Sequence, residues 1–261
     1  RTATLSRHTQ WATFDGPITL DRGGSLLGLT VAYETWGTLQ ADRQNAVCIC
    51  HALTGDAHCA SHGPEDNPGW WEQLVGPGKA IDTDKYFVVC ANILGSCYGT
   101  TGPTSLNPET GEPFGPDFPA VTVGDMVDAQ ARLADHLDIP RWFAVVGGSL
   151  GGMQALSWAT RYPQRVNASV VICSAAHLSS QALSFDVVGR NAILRDPQFR
   201  DGHYYHQQDK PDVGLALARM LGHITYLSPE AMTSKFDKDR LSPRDIATDF
   251  EKTFSVGSYL A

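Results

Sequence analysis

The sequence predicts an α/β fold in which a mainly parallel sheet is flanked by helices. The first observation is a set of short, continuous apolar runs that end in turn residues, which is typical of strands buried on both faces of a parallel sheet. The second is that segments with helical apolar spacing lie between those runs, as in right-handed strand–helix–strand crossovers. A chain of 261 residues is long enough to bury such a core.

The first predicted elements are strands. Residues 18–37, ITLDRGGSLLGLTVAYETWG, alternate apolar and polar positions around Gly23 and Gly24, which predicts a β-hairpin. The runs NAVCICHAL (45–53) and KYFVVCANILG (85–95) predict the first two buried strands. Residues 95–119 are rich in Gly, Pro, Ser and Thr, so we expect a long ordered loop at the carboxyl edge of the sheet, where ligands bind.

Helices and strands then alternate. Residues 122–139 have apolar side chains at helical spacing, and Asp125 lies early, where the helix dipole favours a negative charge. RWFAVVGGS (141–149) predicts a third buried strand, and residues 150–166 predict a helix that Pro163 ends. NASVVICSAA (167–176) predicts a fourth buried strand.

The pattern changes after residue 176. Only helical periodicity and loops follow, as in residues 184–196, 213–227 and 243–254. We therefore expect two parts: the N-terminal part of an α/β core at 1–176, and a helical lid or cap at 177–261. Insertions of that kind form lids or walls of active sites.

Composition and charge narrow the class of protein. A net charge of −8 argues against an unaided nucleic-acid or membrane surface, and no apolar run is long enough to span a bilayer. The N-terminus lacks the apolar region of a signal peptide. The six cysteines fit neither a disulfide framework nor paired zinc ligands, so we expect a reducing, cytoplasmic environment.

The sequence GGSLG places Ser149 where a strand hands over to a helix. Gly147, Ser149 and Gly151 form the G-x-S-x-G pattern of a nucleophile elbow, in which a sharp turn lifts the serine hydroxyl above the sheet. The backbone N–H of Leu150 would then be one oxyanion-hole donor. A glycine-rich turn that binds phosphate or merely packs tightly is the alternative.

The loop CHALTGDAH follows an earlier predicted strand. In hydrolases with a nucleophile elbow, this loop supplies the second oxyanion donor, and the N–H of Leu53 is the candidate. His51 and His58 invite two other interpretations, metal ligation or general base. Two histidines seven residues apart without a carboxylate array are a weak metal signal, so we expect no metal site and a structural role for His51.

In the helical part, Arg190 interrupts the apolar stretch VVGRNAI. An arginine that faces into a lid is suited to hold a substrate carboxylate through two hydrogen bonds. A surface arginine on an amphipathic helix is the alternative, and the residue pattern alone slightly favours it.

Motifs spread over nearly the whole chain resemble those of homoserine O-acetyltransferases, which are α/β-hydrolase-fold acyltransferases of methionine biosynthesis. They are HALTGD, PGWW, GPGKAIDTDKYFVV, GTTGPTSLNP, VVGGSLGGMQALSWA, VGRNAI, ARMLGHITYLS and KF. The resemblance implies that Ser149 takes an acetyl group from acetyl-CoA, used as a co-substrate with no further cofactor, and passes it to L-homoserine. It also implies oxyanion donors at Leu53 and Leu150, a homoserine carboxylate held by Arg190, and a homodimer formed through lid helices.

Several alternatives stay open within this resemblance. Succinyl-CoA as the donor, or serine or another alcohol as the acceptor, would suit similar enzymes. A hydrolase with the same elbow would use water as the acceptor, and an inactive binding or scaffold protein would use neither.

The catalytic aspartate and histidine are the missing part. The resemblance places them after the lid, beyond residue 261, so we expect both outside this chain, in a missing C-terminal segment or a second chain. The C-terminal part of the core is expected to be absent with them. The histidines considered as substitutes receive no catalytic role; they are His177, His203, His206 and His223.

Overall fold

The computed structural model describes residues 5–236 and has the predicted α/β architecture. The strands are β1 Gln10–Phe14, β2 Ile18–Thr19, β3 Ser25–Leu26, β4 Leu29–Trp36, β5 Ala46–Cys50, β6 Val75–Gly76, β7 Ile81–Asp82, β8 Phe87–Ala91, β9 Ala144–Gly148 and β10 Ser169–Ile172. The helices are α1 Val123–His136, α2 Leu150–Arg161, α3 Ser180–Leu194, α4 Asp212–Tyr226 and α5 Pro229–Phe236, with 3-10 turns at Gly115–Asp117, Pro163–Arg165 and Arg200–Gly202. The predicted helical pattern at 243–254 lies outside the described residues.

The main sheet has six strands in the order β1-β4-β8-β5-β9-β10. Strands β8, β5, β9 and β10 run parallel to one another, whereas β4 is antiparallel to β8 and β1 is antiparallel to β4. All four apolar runs form strands of this sheet. The prediction of a mainly parallel sheet flanked by helices is therefore confirmed.

The core lies on both faces of the sheet. Alternate residues of β5 point to opposite faces, so Cys48 and Val47 belong to different apolar clusters. One face packs against α1 and α2, through residues such as Leu133 and Trp158. The other face is covered by the segment that follows β5, in which Trp71 packs against the cluster.

The predicted hairpin at 18–37 is only partly right. Its short ribbon exists, because β2 pairs antiparallel with β3 around Gly23 and Gly24. Its long second arm does not fold back onto the first, since β4 pairs with β1 and β8 in the main sheet. The apolar side chains of β4 gain more burial between two sheet neighbours than in an isolated ribbon.

Strand β10 was predicted to be buried on both faces, and this is wrong for the described residues. It pairs with β9 alone and is the last strand of the sheet in the described part of the chain. Val170 is 44% exposed and Ile172 is 37% exposed. The described residues around β10 therefore leave part of its apolar side chains exposed.

Helix α1 begins with a capping box. The Thr122 hydroxyl accepts a hydrogen bond from the N–H of Asp125, and the Asp125 carboxylate accepts one from the N–H of Thr122. Asp125 also accepts from the N–H of Asp21, which anchors the ribbon to this helix. The early acidic residue that predicted this helix start therefore has a local structural role.

The chain divides into two compact units, one formed by Leu5–Ala176 and the other containing the segment from His177 onward. In the smaller unit, α3 and α4 pack closely: a Cβ atom on Gly214 would lie 2.4 Å from the Ala192 carbonyl oxygen. Asp196 accepts a hydrogen bond from the N–H of Gly214 at 2.8 Å and so fixes the start of α4. Within residues 5–236, no helix has the length and apolar character needed to cross a membrane.

Candidate active site

Ser149 occupies a strained turn between β9 and α2. Its backbone angles are φ 54° and ψ −121°, in a region that residues with a side chain rarely adopt. Its carbonyl oxygen accepts hydrogen bonds from the N–H of Gly152 and from the hydroxyl of Ser174, at 2.9 and 2.7 Å. The turn is thus held on several sides, and the side chain of Ser149 is exposed.

The glycines of the motif are required by close backbone contacts. A Cβ atom on Gly147 would lie 2.1 Å from the carbonyl oxygen of Gly151, and one on Gly152 would lie 2.5 Å from Cβ of Ser174. Real Cβ atoms do not approach other atoms so closely. The glycines therefore allow β9, the turn and α2 to pack as a nucleophile elbow.

The two predicted oxyanion donors have N–H groups with no acceptor among the described residues. Leu150 is the first residue of α2, where backbone N–H groups have no partner inside the helix, and no side chain caps this end. Leu53 lies in the turn after β5, and no described carbonyl or side chain accepts from its N–H. Both groups are therefore available to a developing negative charge.

His51 has the structural role that its sequence position suggested. Its side chain is 1% exposed; Nε2 accepts a hydrogen bond from the N–H of Ile93 at 3.2 Å, and Nδ1 donates to the carbonyl of Ala52 at 2.8 Å. Burial lowers the pKa of His51. The ring is therefore neutral and fixes the peptide that joins Ala52 to Leu53.

His58 pairs with a carboxylate that is distant in sequence. Its Nδ1 lies 2.9 Å from Oε2 of Glu34, which is 1% exposed, and its Nε2 lies 2.8 Å from the carbonyl oxygen of Asn67. Both partners are acceptors, so His58 donates from both nitrogens and is an imidazolium. His62 adds a second hydrogen bond to the same oxygen of Glu34, at 2.8 Å.

The pKa shifts agree with a buried ion pair. Burial alone would lower the pKa of His58, but its bonds to Asn67 and Glu34 outweigh burial and raise it. Burial acts to raise the pKa of Glu34, but hydrogen bonds from His62 and His58 outweigh it and lower the value. Glu34, His58 and His62 also have the composition of a metal site, yet their close atoms hydrogen-bond to one another. The expectation that the chain holds no metal stays a prediction.

No side chain of Leu5–Ala176 forms a hydrogen bond with the hydroxyl of Ser149. Arg190 lies on α3 of the smaller unit, and its side chain is exposed and has no ion-pair partner among the described residues. Ser149, Leu53 and Leu150 therefore share the larger unit, whereas Arg190 belongs to the other. Its role as a carboxylate ligand stays a prediction.

Comparison with known proteins gives the family. The profile of the α/β hydrolase fold matches residues 45–252. A homoserine O-succinyltransferase of an Azoarcus species is 54% identical over 253 residues, which cover 96% of this chain and 67% of that protein. The chain belongs to the homoserine O-acyltransferase family of α/β-hydrolase fold proteins.

Other family members differ in the acyl group that their names specify. A homoserine O-acetyltransferase of Desulfotalea psychrophila is 52% identical to this chain, and the matched region covers 63% of that protein. A bifunctional methionine biosynthesis protein MetXA/MetW of Rhodopirellula baltica is 55% identical over all of this chain but is covered to only 42%. The chain therefore spans between 42% and 67% of the length of these curated relatives.

Solved structures of the wider fold family include both transferases and esterases. The crystal structure of homoserine O-acetyltransferase from Bacillus anthracis has a TM-score of 0.85 at 28% identity, over 98% of this chain and 74% of that one. The esterase E22 L374D mutant has a TM-score of 0.86 at 30% identity, over 97% and 73% of the two chains. The backbone of the acyltransferase family is thus shared with esterases.

Sequence reasoning missed three polar side chains of the larger unit that form hydrogen bonds between distant segments. Glu34 and His62 form the cluster with His58, and Gln154 lies buried behind the elbow. Glu34 gave one signal, as an acidic residue in the apolar run of β4. Gln154 gave a similar one, as an amide on the buried face of α2.

Proposed function

We propose that this chain carries the nucleophile of an acyltransferase that moves an acetyl group from acetyl-CoA to the hydroxyl of L-homoserine, for methionine biosynthesis. The observation that carries the proposal is the strained elbow at Ser149, with the N–H groups of Leu53 and Leu150 left without acceptors in the described part of the chain. The names of close relatives supply the acceptor.

The proposed reaction has two steps. The hydroxyl oxygen of Ser149 attacks the thioester carbonyl while a base takes its proton, and the resulting oxyanion accepts hydrogen bonds from Leu53 and Leu150. The C–S bond then breaks, the thiol of CoA leaves with a proton, and an acetyl-Ser149 ester remains. The homoserine hydroxyl attacks that ester and gives its proton to the base. The bond between the acetyl carbon and Oγ of Ser149 then breaks, the base returns the proton to Oγ, and O-acetyl-L-homoserine leaves.

The proposed reaction also needs a base that takes the proton of Ser149 and an acidic residue that orients this base. The Ser149 hydroxyl has no hydrogen-bonding partner in Leu5–Ala176, and a serine without a base is a poor nucleophile. We expect the histidine and aspartate to come from polypeptide outside these 261 residues, in the same protein or in a second chain. In the described residues β10 is an edge strand, so further strands would pair with its free backbone edge, and its exposed apolar side chains would be covered by the elements that pack there.

The smaller unit supplies the acceptor site and a dimer contact in this proposal. Arg190 is exposed and free of ion pairs within the described residues, as a carboxylate ligand needs to be. On α3 and α4, Val188 is 57% exposed and Ile224 is 57% exposed, which favours a homodimer formed through these helices. Measurement of the mass in solution by light scattering tests that contact.

Two specific observations favour other outcomes. Several close relatives are named homoserine O-succinyltransferases, so succinyl-CoA is the second candidate donor. The structural likeness to esterase E22 favours hydrolysis, in which water replaces homoserine. Both alternatives keep Ser149 as the nucleophile. The first places a succinyl group instead of an acetyl group on Ser149, and the second replaces homoserine by water as the acceptor.

The test is a thiol-release assay on the intact protein as its cells produce it. Acetyl-CoA and succinyl-CoA are each supplied with L-homoserine, with L-serine or with no acceptor, and the ester product is identified. We expect release that depends on homoserine and is faster with acetyl-CoA, and that is abolished in Ser149→Ala. Thiol release at the same rate with and without an acceptor would favour hydrolysis. Faster release from succinyl-CoA than from acetyl-CoA would identify succinyl-CoA as the donor.

A further inference from the structure

A buried amide lies directly behind the elbow. Gln154 on α2 is 0% exposed, and its Nε2 donates to two backbone carbonyls, those of His51 and Leu150, both at 3.3 Å. One carbonyl belongs to the loop that carries Leu53, and the other belongs to the first residue of α2. A single side chain thus joins the two segments that carry the proposed oxyanion donors.

The orientation of this amide is fixed by its neighbours. The indole N–H of Trp158 is a donor only, and it donates to Oε1 of Gln130 at 2.8 Å. Gln130 therefore presents its NH2 group to Oε1 of Gln154, at 2.7 Å. The NH2 group of Gln154 in turn faces carbonyls that only accept, so reversal of either amide would oppose two acceptors.

The loop that carries Leu53 is held by hydrogen bonds to two consecutive peptide groups. Gln154 binds the carbonyl of His51, and the ring of His51 binds the next carbonyl, that of Ala52, which also accepts from the N–H of Gly55 at 2.9 Å. The carbonyl of Ala52 and the N–H of Leu53 are parts of the same planar peptide. Fixing that carbonyl therefore fixes the direction of the proposed oxyanion donor.

We propose that Gln154 is a positioning residue for acyl transfer, which holds the loop of Leu53 and the start of α2 in register so that both N–H groups point at one oxyanion. This inference rests on the proposed function of Ser149. Gln154 touches no substrate, because its side chain is fully buried. It acts through preorganisation, since the donors are aligned before charge develops.

The test uses the intact protein and p-nitrophenyl acetate, which acylates an elbow serine whatever the natural acceptor is. Gln154→Met keeps the approximate volume of the side chain and removes its donors. We expect the rate constant for acylation of Ser149 to fall roughly 10- to 100-fold, with little change in KM, because misplaced donors weaken transition-state binding. The infrared carbonyl stretch of the acetyl-enzyme should shift to higher frequency as polarisation is lost.

Two further variants separate positioning from packing. Asn45→Ala removes another buried amide, whose Nδ2 donates to the carbonyls of Thr38 and Lys85 and not to those of His51 or Leu150, so it should cost stability and leave acylation unchanged. Gln154→Glu can donate only when its carboxyl is protonated. Its acylation rate relative to the wild type should therefore rise as the pH falls, whereas the same ratio for Gln154→Met stays flat.

The outcomes distinguish this inference from the proposed function. If Ser149 of the wild-type protein is not acylated, the proposed function and the inference about Gln154 both fail. If Ser149 is acylated but Gln154→Met and Gln154→Glu acylate at the wild-type rate with an unchanged carbonyl stretch, Gln154 has only a packing role and the inference alone fails. If Asn45→Ala slows acylation as strongly as Gln154→Met, general loosening of the core explains the effect and the inference is wrong.

Discussion

Gly151 and Cys50 are in such close contact that a Cβ atom on Gly151 would lie 1.9 Å from the Cys50 carbonyl oxygen. This contact brings the start of α2 against the end of β5, from which the loop of Leu53 departs. The elbow and the oxyanion loop are therefore one packed unit. Its integrity can be tested independently of any substrate.

The first prediction concerns two glycines of the same motif. Gly151→Ala forces two backbones apart, and we expect a loss of about 2 to 3 kcal/mol in the free energy of unfolding. Gly148→Ala is the matched control, since its Cβ would lie 3.7 Å from the nearest atom, the Ile172 carbonyl oxygen, and should cost roughly 0.5 kcal/mol or less. Chemical denaturation of both variants measures this. Equal stabilities would show that the close approach is not required.

The second prediction concerns backbone strain at Ser149. At φ 54° a Cβ atom is unfavourable, and such strain costs roughly 1 to 3 kcal/mol. We expect Ser149→Gly to be more stable than Ser149→Ala by about 1 kcal/mol, although glycine at an ordinary site is the less stable of the two. Thermal or chemical unfolding compares them. An alanine variant as stable as the glycine variant would mean that the turn relaxes.

The third prediction concerns the ion pair of Glu34 and His58. The raised pKa of His58 contributes stability that is fully present below its usual value of 6.5 and is lost as the pH rises through its folded value. The lowered pKa of Glu34 contributes stability that is present above 4.5 and is lost as the pH falls through its folded value. The contribution of this pair to the free energy of unfolding should therefore be greatest between pH 4.5 and pH 6.5 and should decline on both sides.

NMR titration of His58 tests the same pair directly. Glu34→Gln should lower the pKa of His58, whereas Glu72→Gln removes a carboxylate that binds Lys79 and should leave the His58 titration unchanged. A His58 titration that Glu34→Gln does not move would contradict the ion pair.

The fourth prediction concerns acceptor binding by Arg190. Arg190→Ala should raise KM for homoserine roughly 10- to 100-fold, since a charged hydrogen bond contributes about 1.5 to 3 kcal/mol, and should leave the acylation step unchanged. Arg190→Lys should recover only part of the loss, because an ammonium cannot bind a carboxylate with two parallel bonds. Arg195→Ala, an exposed arginine at the end of the same helix, is the control. Similar increases in KM for Arg190→Ala and Arg195→Ala would contradict the proposed role of Arg190.

Local patterns account for the parts of the structure that were predicted correctly. The run at 141–149 and the glycines around Ser149 specify a strand, a sharp turn and a helix without reference to distant residues. Local patterns do not determine which strands pair with each other. The sequence of β4 alternates like one arm of a hairpin, but β4 pairs with β1 and β8.

The side chains that sequence reasoning missed act across long sequence separations. Glu34 meets His58 only because the segment that follows β5 packs over β8, which separates β5 from β4, and Gln154 meets His51 only because α2 packs on β5. No motif spacing encodes such contacts. A polar residue within an apolar segment was the only local sign of either.

Detection of an acyl group on Ser149 tests the central claim most directly. The intact protein is mixed with acetyl-CoA in the absence of homoserine, quenched in acid, digested and analysed by mass spectrometry. We predict one acetyl group on the peptide that contains Ser149, its loss when homoserine is added before the quench, and no adduct in Ser149→Ala. Homoserine-dependent thiol release that persists in Ser149→Ala, or an acetyl group carried on another residue, would contradict the account.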